Sequence, residues 1–396
     1  MRIVILNRWF SERMGYADAS LAHEYSMAGH EVFLVTSNAQ PYFDSPDYCD
    51  IYEKFNGPPL TECCWKPHDN YTLIRLPICA WPYKYSFRNL SATLKKIKPD
   101  IVQTFDLLAP YNIQAALFCK FHKACFFSGN HVVNSVFSPA RGGMSLLRRI
   151  KWNYWMPWIG GIFYRNFCEK NYAATIDGFE INRRFFGVPD TCNVLCELGV
   201  DTRLFYPDPV AGAAKRRELG VTDSELLVLY SGRFNEGKNP FVLAEAVRIA
   251  RQRGLNCRGF FIGNGSEEAI RHLAGVEGCT VLPFVESSKL PDFYRAADIA
   301  VWPRQESTSM LDAAATGTPI VVSDRVLAHE RYEGNGLTYR ENDPVSLAEA
   351  LQTLADPELR RTLGEHGTEK MLTRFSWKAI AVRRLQDYGE SLARRR

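Results

Sequence analysis

No Asp-x-Asp pair occurs anywhere in the 396 residues, so a carboxylate-bound divalent ion bridging a diphosphate has no support. No Gly-x-Gly-x-x-Gly follows the first apolar run, which removes the usual signature of a nicotinamide dinucleotide site. The eleven cysteines are scattered and never at Cys-x-x-Cys spacing. Cys192 and Cys196 have neither a His nor a second Cys pair nearby and make a poor zinc site; the thiols read as reduced. Long hydrophobic stretches are missing too. The opening run Ile3–Leu6 is too short for a signal-peptide core, and the uncharged aromatic run Trp152–Tyr164 falls short of a bilayer span of about 20 residues. A cytoplasmic location is therefore expected. Charge of one sign is scarce: 48 Lys and Arg against 44 Asp and Glu leave only +4, no footprint of a nucleic-acid binder. Any cationic site must be local.

What is present is apolar material in an ordered alternation. Hydrophobic residues make up 46%, enough for packed cores, and the length suits two or three domains at roughly 150 residues each. Runs at 2–6, 31–36, 72–77, 100–105 and 124–129 read as buried strands. Residues 18–30, with a Gly29 stop, and 89–98 have helical spacing between them. A second series follows, with strands at 226–233, 257–265, 280–284, 298–303 and 319–324. Its helices are expected at 241–254, 267–273, 291–297 and 312–316. Continuous apolar strands joined by helices predict parallel sheets covered on both faces, hence an α/β chain of two doubly wound domains facing a cleft. Ligands then belong at the carboxyl ends of the strands.

The polar residues worth attention all lie at such ends. Arg233 and Lys238 leave the strand 226–233 in a Gly-containing loop; they suit phosphate oxygens, and equally a solvated surface. After the strand 298–303 comes Arg304-Gln305-Glu306-Ser307-Thr308-Ser309, then a short Ala-rich helix through Asp312. Its free N–H groups with the Ser307, Thr308 and Ser309 hydroxyls form an anion site. Thr308 or Ser309 capping that helix, with Asp312 favouring its dipole, is a compatible reading. Gly15 precedes the first long helix, where backbone can approach a phosphate. His131 follows another strand and is either a structural donor or a catalytic group.

Together these segments resemble the family 4 retaining glycosyltransferases, which have the two-domain GT-B fold. The likeness rests on 198–207, on Ser231-Gly232-Arg233 with Lys238, on Ala297–Pro303, on Glu306–Pro319 and on Arg374–Trp377. In the first half it rests on Ala28–Val32 and Lys98–Val102. The resemblance implies Rossmann-like domains at 1–196, on the acceptor side, and 197–375, binding a nucleotide sugar. A helix at 376–396 would pack back on the first. It implies that Arg233 and Lys238 hold the donor diphosphate as leaving group and that Gly15 touches it. Glu306 would stand beside the donor sugar, Asp312 would bind the nucleotide ribose, and His131 would point toward the sugar from the acceptor side. One departure stands out. Here the acids are Glu306-x5-Asp312, not the family's Glu-x7-Glu, so either the loop is shorter with Glu306 in its usual role, or Ser307–Ser309 bind the sugar differently.

The expected function is transfer of a sugar from a nucleotide-diphosphate donor to a glycan or lipid-linked acceptor in cell-surface polysaccharide or glycolipid assembly. No cofactor, metal or nucleic acid is expected. Another GT-B enzyme, an epimerase or phosphorylase, and a non-catalytic sugar-binding scaffold are the alternatives. Arg148, Arg149 and Lys151 interleave with Trp152, Tyr154, Trp155, Trp158, Phe163 and Tyr164. That pattern suits peripheral contact with an anionic membrane surface, or an interior helix pair with cations at its rim.

Overall fold

The computed structural model describes residues 1–12, 17–46, 48–79, 86–134, 137, 139 and 144–395. The chain divides into two compact units, Met1–Leu198 with Ile380–Arg396, and Gly199–Ala379.

In the first unit the strands are β1 (Arg2–Leu6), β2 (Glu31–Ser37), β3 (Cys64–Pro67), β4 (Thr72–Leu76), β5 (Ile78–Cys79), β6 (Ser86–Phe87), β7 (Ile101–Thr104), β8 (Cys125–Asn130), β9 (Asn171–Ala173) and β10 (Asn193–Leu195). Eight of them form one sheet in the order β10-β9-β8-β7-β1-β2-β4-β3, while β5 and β6 pair separately. All neighbours run parallel except the edge strand β3, antiparallel to β4. Strand β1 is buried from Ile3 to Leu6 because it lies between β2 and β7, with Ile3 beside Val32 and Ile101. The helix Ala17–Met27 returns the chain to β2 through Gly29, whose φ of 82° is one that L side chains rarely adopt. The last helix, Trp377–Arg395, is tied to this unit by polar contacts: Asp387 accepts from Lys170 Nζ at 2.6 Å and from the Tyr172 hydroxyl at 2.8 Å. The Tyr388 and Tyr25 hydroxyls meet at 3.1 Å.

The second unit holds β11 (Leu226–Phe234), β12 (Cys257–Gly265), β13 (Cys279–Leu282), β14 (Ile299–Trp302), β15 (Ile320–Ser323) and β16 (Gly336–Tyr339). These form one parallel sheet in the order β13-β12-β11-β14-β15-β16. Side chains alternate between two cores: Leu227, Leu229, Ala300 and Trp302 on one face, Val228, Tyr230, Ile299 and Val301 on the other. That alternation is why the strands read as continuous apolar runs. Strand order reverses between β11 and β14, a switch point at whose carboxyl ends ligands bind in open α/β sheets. The same reversal occurs between β1 and β7 in the first unit.

The helix expected at 312–316 runs instead over Ser309–Ala315, starting three residues earlier. Residues 209–218, not expected to be regular, form a helix capped by Asp208, whose carboxylate accepts from the N–H groups of Val210 and Ala211.

Candidate functional site

At this switch point in the second unit the fold brings together the segments at the ends of β11 and β14. At the end of β11, the Tyr230 hydroxyl donates to the Arg233 carbonyl at 2.8 Å and fixes the backbone beneath the exposed Arg233. The Asn235 side-chain oxygen accepts the Lys238 N–H at 3.0 Å, curling the loop so that Lys238 faces its neighbour. There the Lys238 ammonium donates to the Glu306 carbonyl at 2.9 Å. A second tie runs the other way, Arg304 to the Glu236 carbonyl at 3.0 Å. The loops after β11 and β14 are thus hydrogen-bonded to each other by side chains from both.

Charge at this point is concentrated. Burial pushes the Lys238 ammonium below the ordinary lysine range; the Glu306 carboxylate opposes that shift, while Arg233 and Arg331 add to it by like charge. Arg331 was not legible as a site residue. It belongs to the four-residue helix His329–Tyr332, is 3% exposed, and donates to the Ser307 carbonyl at 3.3 Å. Two cations therefore donate to the Glu306–Ser307 backbone, and Arg233 lies close enough to Lys238 to repel it.

The serine-rich loop is bonded internally. Trp302 Nε1 donates to the Ser309 hydroxyl at 3.1 Å, and the Ser309 and Ser307 hydroxyls meet at 2.9 Å. Thr308 occupies the cap position of the helix Ser309–Ala315 without making a side-chain cap bond. The reading of Thr308 or Ser309 as a helix cap is corrected accordingly: the Ser309 hydroxyl is drawn to the indole N–H and to Ser307. Asp312 lies one turn into this helix, partly buried. Burial raises its carboxyl to about 7, with the Asp201 carboxylate contributing in the same direction. Nearby, the buried Ser231 and Tyr294 hydroxyls meet at 2.6 Å.

The structure thus brings Arg233, Lys238, Glu306 and Ser307 into one neighbourhood of the second unit, with Thr308 at the cap of the adjoining helix and Ser309 and Asp312 on it. His131 lies in the first unit just beyond β8, its ring edge-on to Phe105 at 5.4 Å. Gly15 lies outside the described residues. The first unit has a polar cluster of its own at the ends of β1 and β7, which reading the sequence missed. Arg8 holds Asp106 with two bonds of 2.8 and 2.7 Å, and the Tyr111 hydroxyl donates to the same carboxylate at 2.7 Å. Beside it Asn7 donates to Asp18 at 2.8 Å, and burial lifts the Asp18 carboxyl to about 6. The signal was available, since Asn7-Arg8 and Asp106 directly follow expected strands.

Residues 225–356 match the family model described as glycosyl transferases group 1. The D-inositol 3-phosphate glycosyltransferase of Xylanimonas cellulosilytica is 31% identical over 214 residues, 50% of this chain. The match spans 51% of that relative, so the chain covers about half of its length. Among solved structures, sucrose-phosphate synthase from Thermosynechococcus elongatus superposes with a TM-score of 0.70 over 100% of both chains at 20% identity. Anabaena HepE in complex with UDP-glucose does so with 0.66, again over 100% of both chains, at 15% identity. Residues 225–356 therefore carry a group 1 glycosyltransferase domain, in a chain of GT-B fold.

Proposed function

We propose that the protein is a retaining, metal-independent glycosyltransferase, moving a sugar from a nucleotide-diphosphate donor to a glycan or lipid-linked acceptor. The reading includes a role in cell-surface polysaccharide or glycolipid assembly, on the cytoplasmic side of a membrane. The observation that carries it is the Lys238–Glu306 bond, which fixes an ammonium beside the ends of β11 and β14, with the Arg233 and Arg331 guanidinium groups close enough to repel it. Breaking a sugar–phosphate bond leaves negative charge on the departing diphosphate. Cations already fixed in place stabilise that charge in the transition state without reorganising, which is where such interactions lower the barrier.

In this reading Arg233 and Lys238 take the diphosphate, and Arg331 positions the Ser307 carbonyl while adding to the field. Glu306 stands beside the donor sugar, and Ser307, Thr308 and Ser309 offer hydroxyls and amides to it. Asp312 binds the ribose and His131 keeps its acceptor-side role. A bound UDP-glucose in HepE, a protein of the same fold, supports a nucleotide-sugar donor. Replacing both Arg233 and Lys238 by Ala should lower turnover by on the order of 10²-fold or more, as removal of charge facing a leaving group does. Unchanged turnover in that double variant would overturn the assignment.

A further inference from the structure

In the first unit the helix Pro110–His122 and the helical run 146–167 pack on the same side of the sheet. Ala115, Phe118 and Cys119 of one share a core with Phe163 and Tyr164 of the other. The Lys120 ammonium reaches the Asn166 carbonyl at 3.5 Å. Their outward sides are apolar, yet they face solvent. On the first helix Ile113, Leu117 and Phe121 recur at four-residue spacing, and Phe121 is 79% exposed. The run 146–167 adds Trp155, Trp158, Ile159 and Ile162, with Trp158 63% exposed, and begins with Leu146 and Leu147, both above 70%. An apolar surface of this extent on two neighbouring helices marks an interaction site.

Charge decides what covers it. From Leu107 to Cys168 the sequence holds seven Lys and Arg and not one Asp or Glu. Lys120, Lys123, Arg148, Arg149, Lys151 and Arg165 are all exposed. A second copy of the chain docked symmetrically would set these cations against their own equivalents, an arrangement that like charges oppose. An anionic bilayer satisfies both features: acidic headgroups take the cations, and the headgroup–acyl boundary takes tryptophan and aliphatic side chains. Among the described residues no helix is long and apolar enough to cross a membrane, so the contact is one of surface docking.

We infer that the helix Pro110–His122 and the run 146–167 together form one face that docks on an anionic bilayer. The inference is independent of the transferase reading, because neither donor nor acceptor enters its test. Purified protein is sedimented with phosphatidylcholine vesicles, with and without phosphatidylglycerol, at low and high salt. Binding is expected only to the anionic vesicles and should weaken as salt rises. The pairs Leu117→Ser with Phe121→Ser, and Trp155→Ala with Trp158→Ala, should each reduce it by on the order of tenfold, since each removes several buried methylene equivalents. These side chains face solvent, so the variants should fold; far-UV circular dichroism checks that they do. Equal binding to neutral vesicles, wild-type affinity in both pairs, or no binding at all would overturn the inference. So would a wild-type dimer, seen by light scattering, that either pair dissolves.

Discussion

Replacing Asp312 with Asn removes an ionisable group that burial holds near 7, far above the ordinary value of about 3.9 for aspartate. The folded wild type keeps a proton on that carboxyl that the unfolded chain gives up as pH passes about 4. Stability must therefore fall between about pH 4 and about pH 7 and level off above that. A gap of roughly three units, at about 1.4 kcal/mol each, sets a ceiling of about 4 kcal/mol on the loss at about pH 8. Residual exposure of the side chain lowers the expected value to about 1–3 kcal/mol. Asparagine cannot ionise, so the variant should outlast the wild type in urea at about pH 8, and the two should converge as pH approaches about 4. Urea denaturation at three pH values across that range measures it. A difference between the two proteins that does not change with pH would refute the reasoning.

Arg331→Ala should lower turnover by about tenfold or more through loss of both field and loop positioning, and Arg331→Lys should recover part of it; steady-state kinetics with saturating donor decide. Gly160→Ala would drive a methyl group into the Phe186 carbonyl, so the variant should lose about 1–3 kcal/mol in urea unfolding. Asp387→Ala removes the acceptor for Lys170 and Tyr172; a loss of about 1–3 kcal/mol and faster proteolysis of the C-terminal helix are expected.

The central strands were legible because both faces of each are buried, which writes a continuous apolar run into the sequence. Strands β3, β9, β10 and β16 were not. Three or four residues such as Asn171–Ala173 carry too little pattern, and three of the four residues of β3 are exposed along the sheet edge. The helix Pro209–Glu218 escaped because Gly212 is its one buried residue, leaving no apolar stripe. Within the site, Arg233 and Lys238 were visible since one ends the long strand β11 and the other follows it closely. Arg331 was not, because it reaches Ser307 only through tertiary packing, from a short helix that starts six residues beyond β15. The Arg8–Asp106 pair spans 98 positions and joins two strand ends that are neighbours only once the sheet forms.

The cation cluster beside β11 is tested most directly by ligand-induced stabilisation. Wild type and the Arg233→Ala, Lys238→Ala double variant are melted with UDP, GDP or ADP and with the corresponding sugar nucleotides. A ligand at about a hundredfold its Kd adds about 2.7 kcal/mol to the native state, a rise of several degrees. One nucleotide series should raise the melting temperature of the wild type and leave the double variant unmoved. An equal rise in both proteins, or none in the wild type with any of the three series, would contradict a diphosphate held by Arg233 and Lys238.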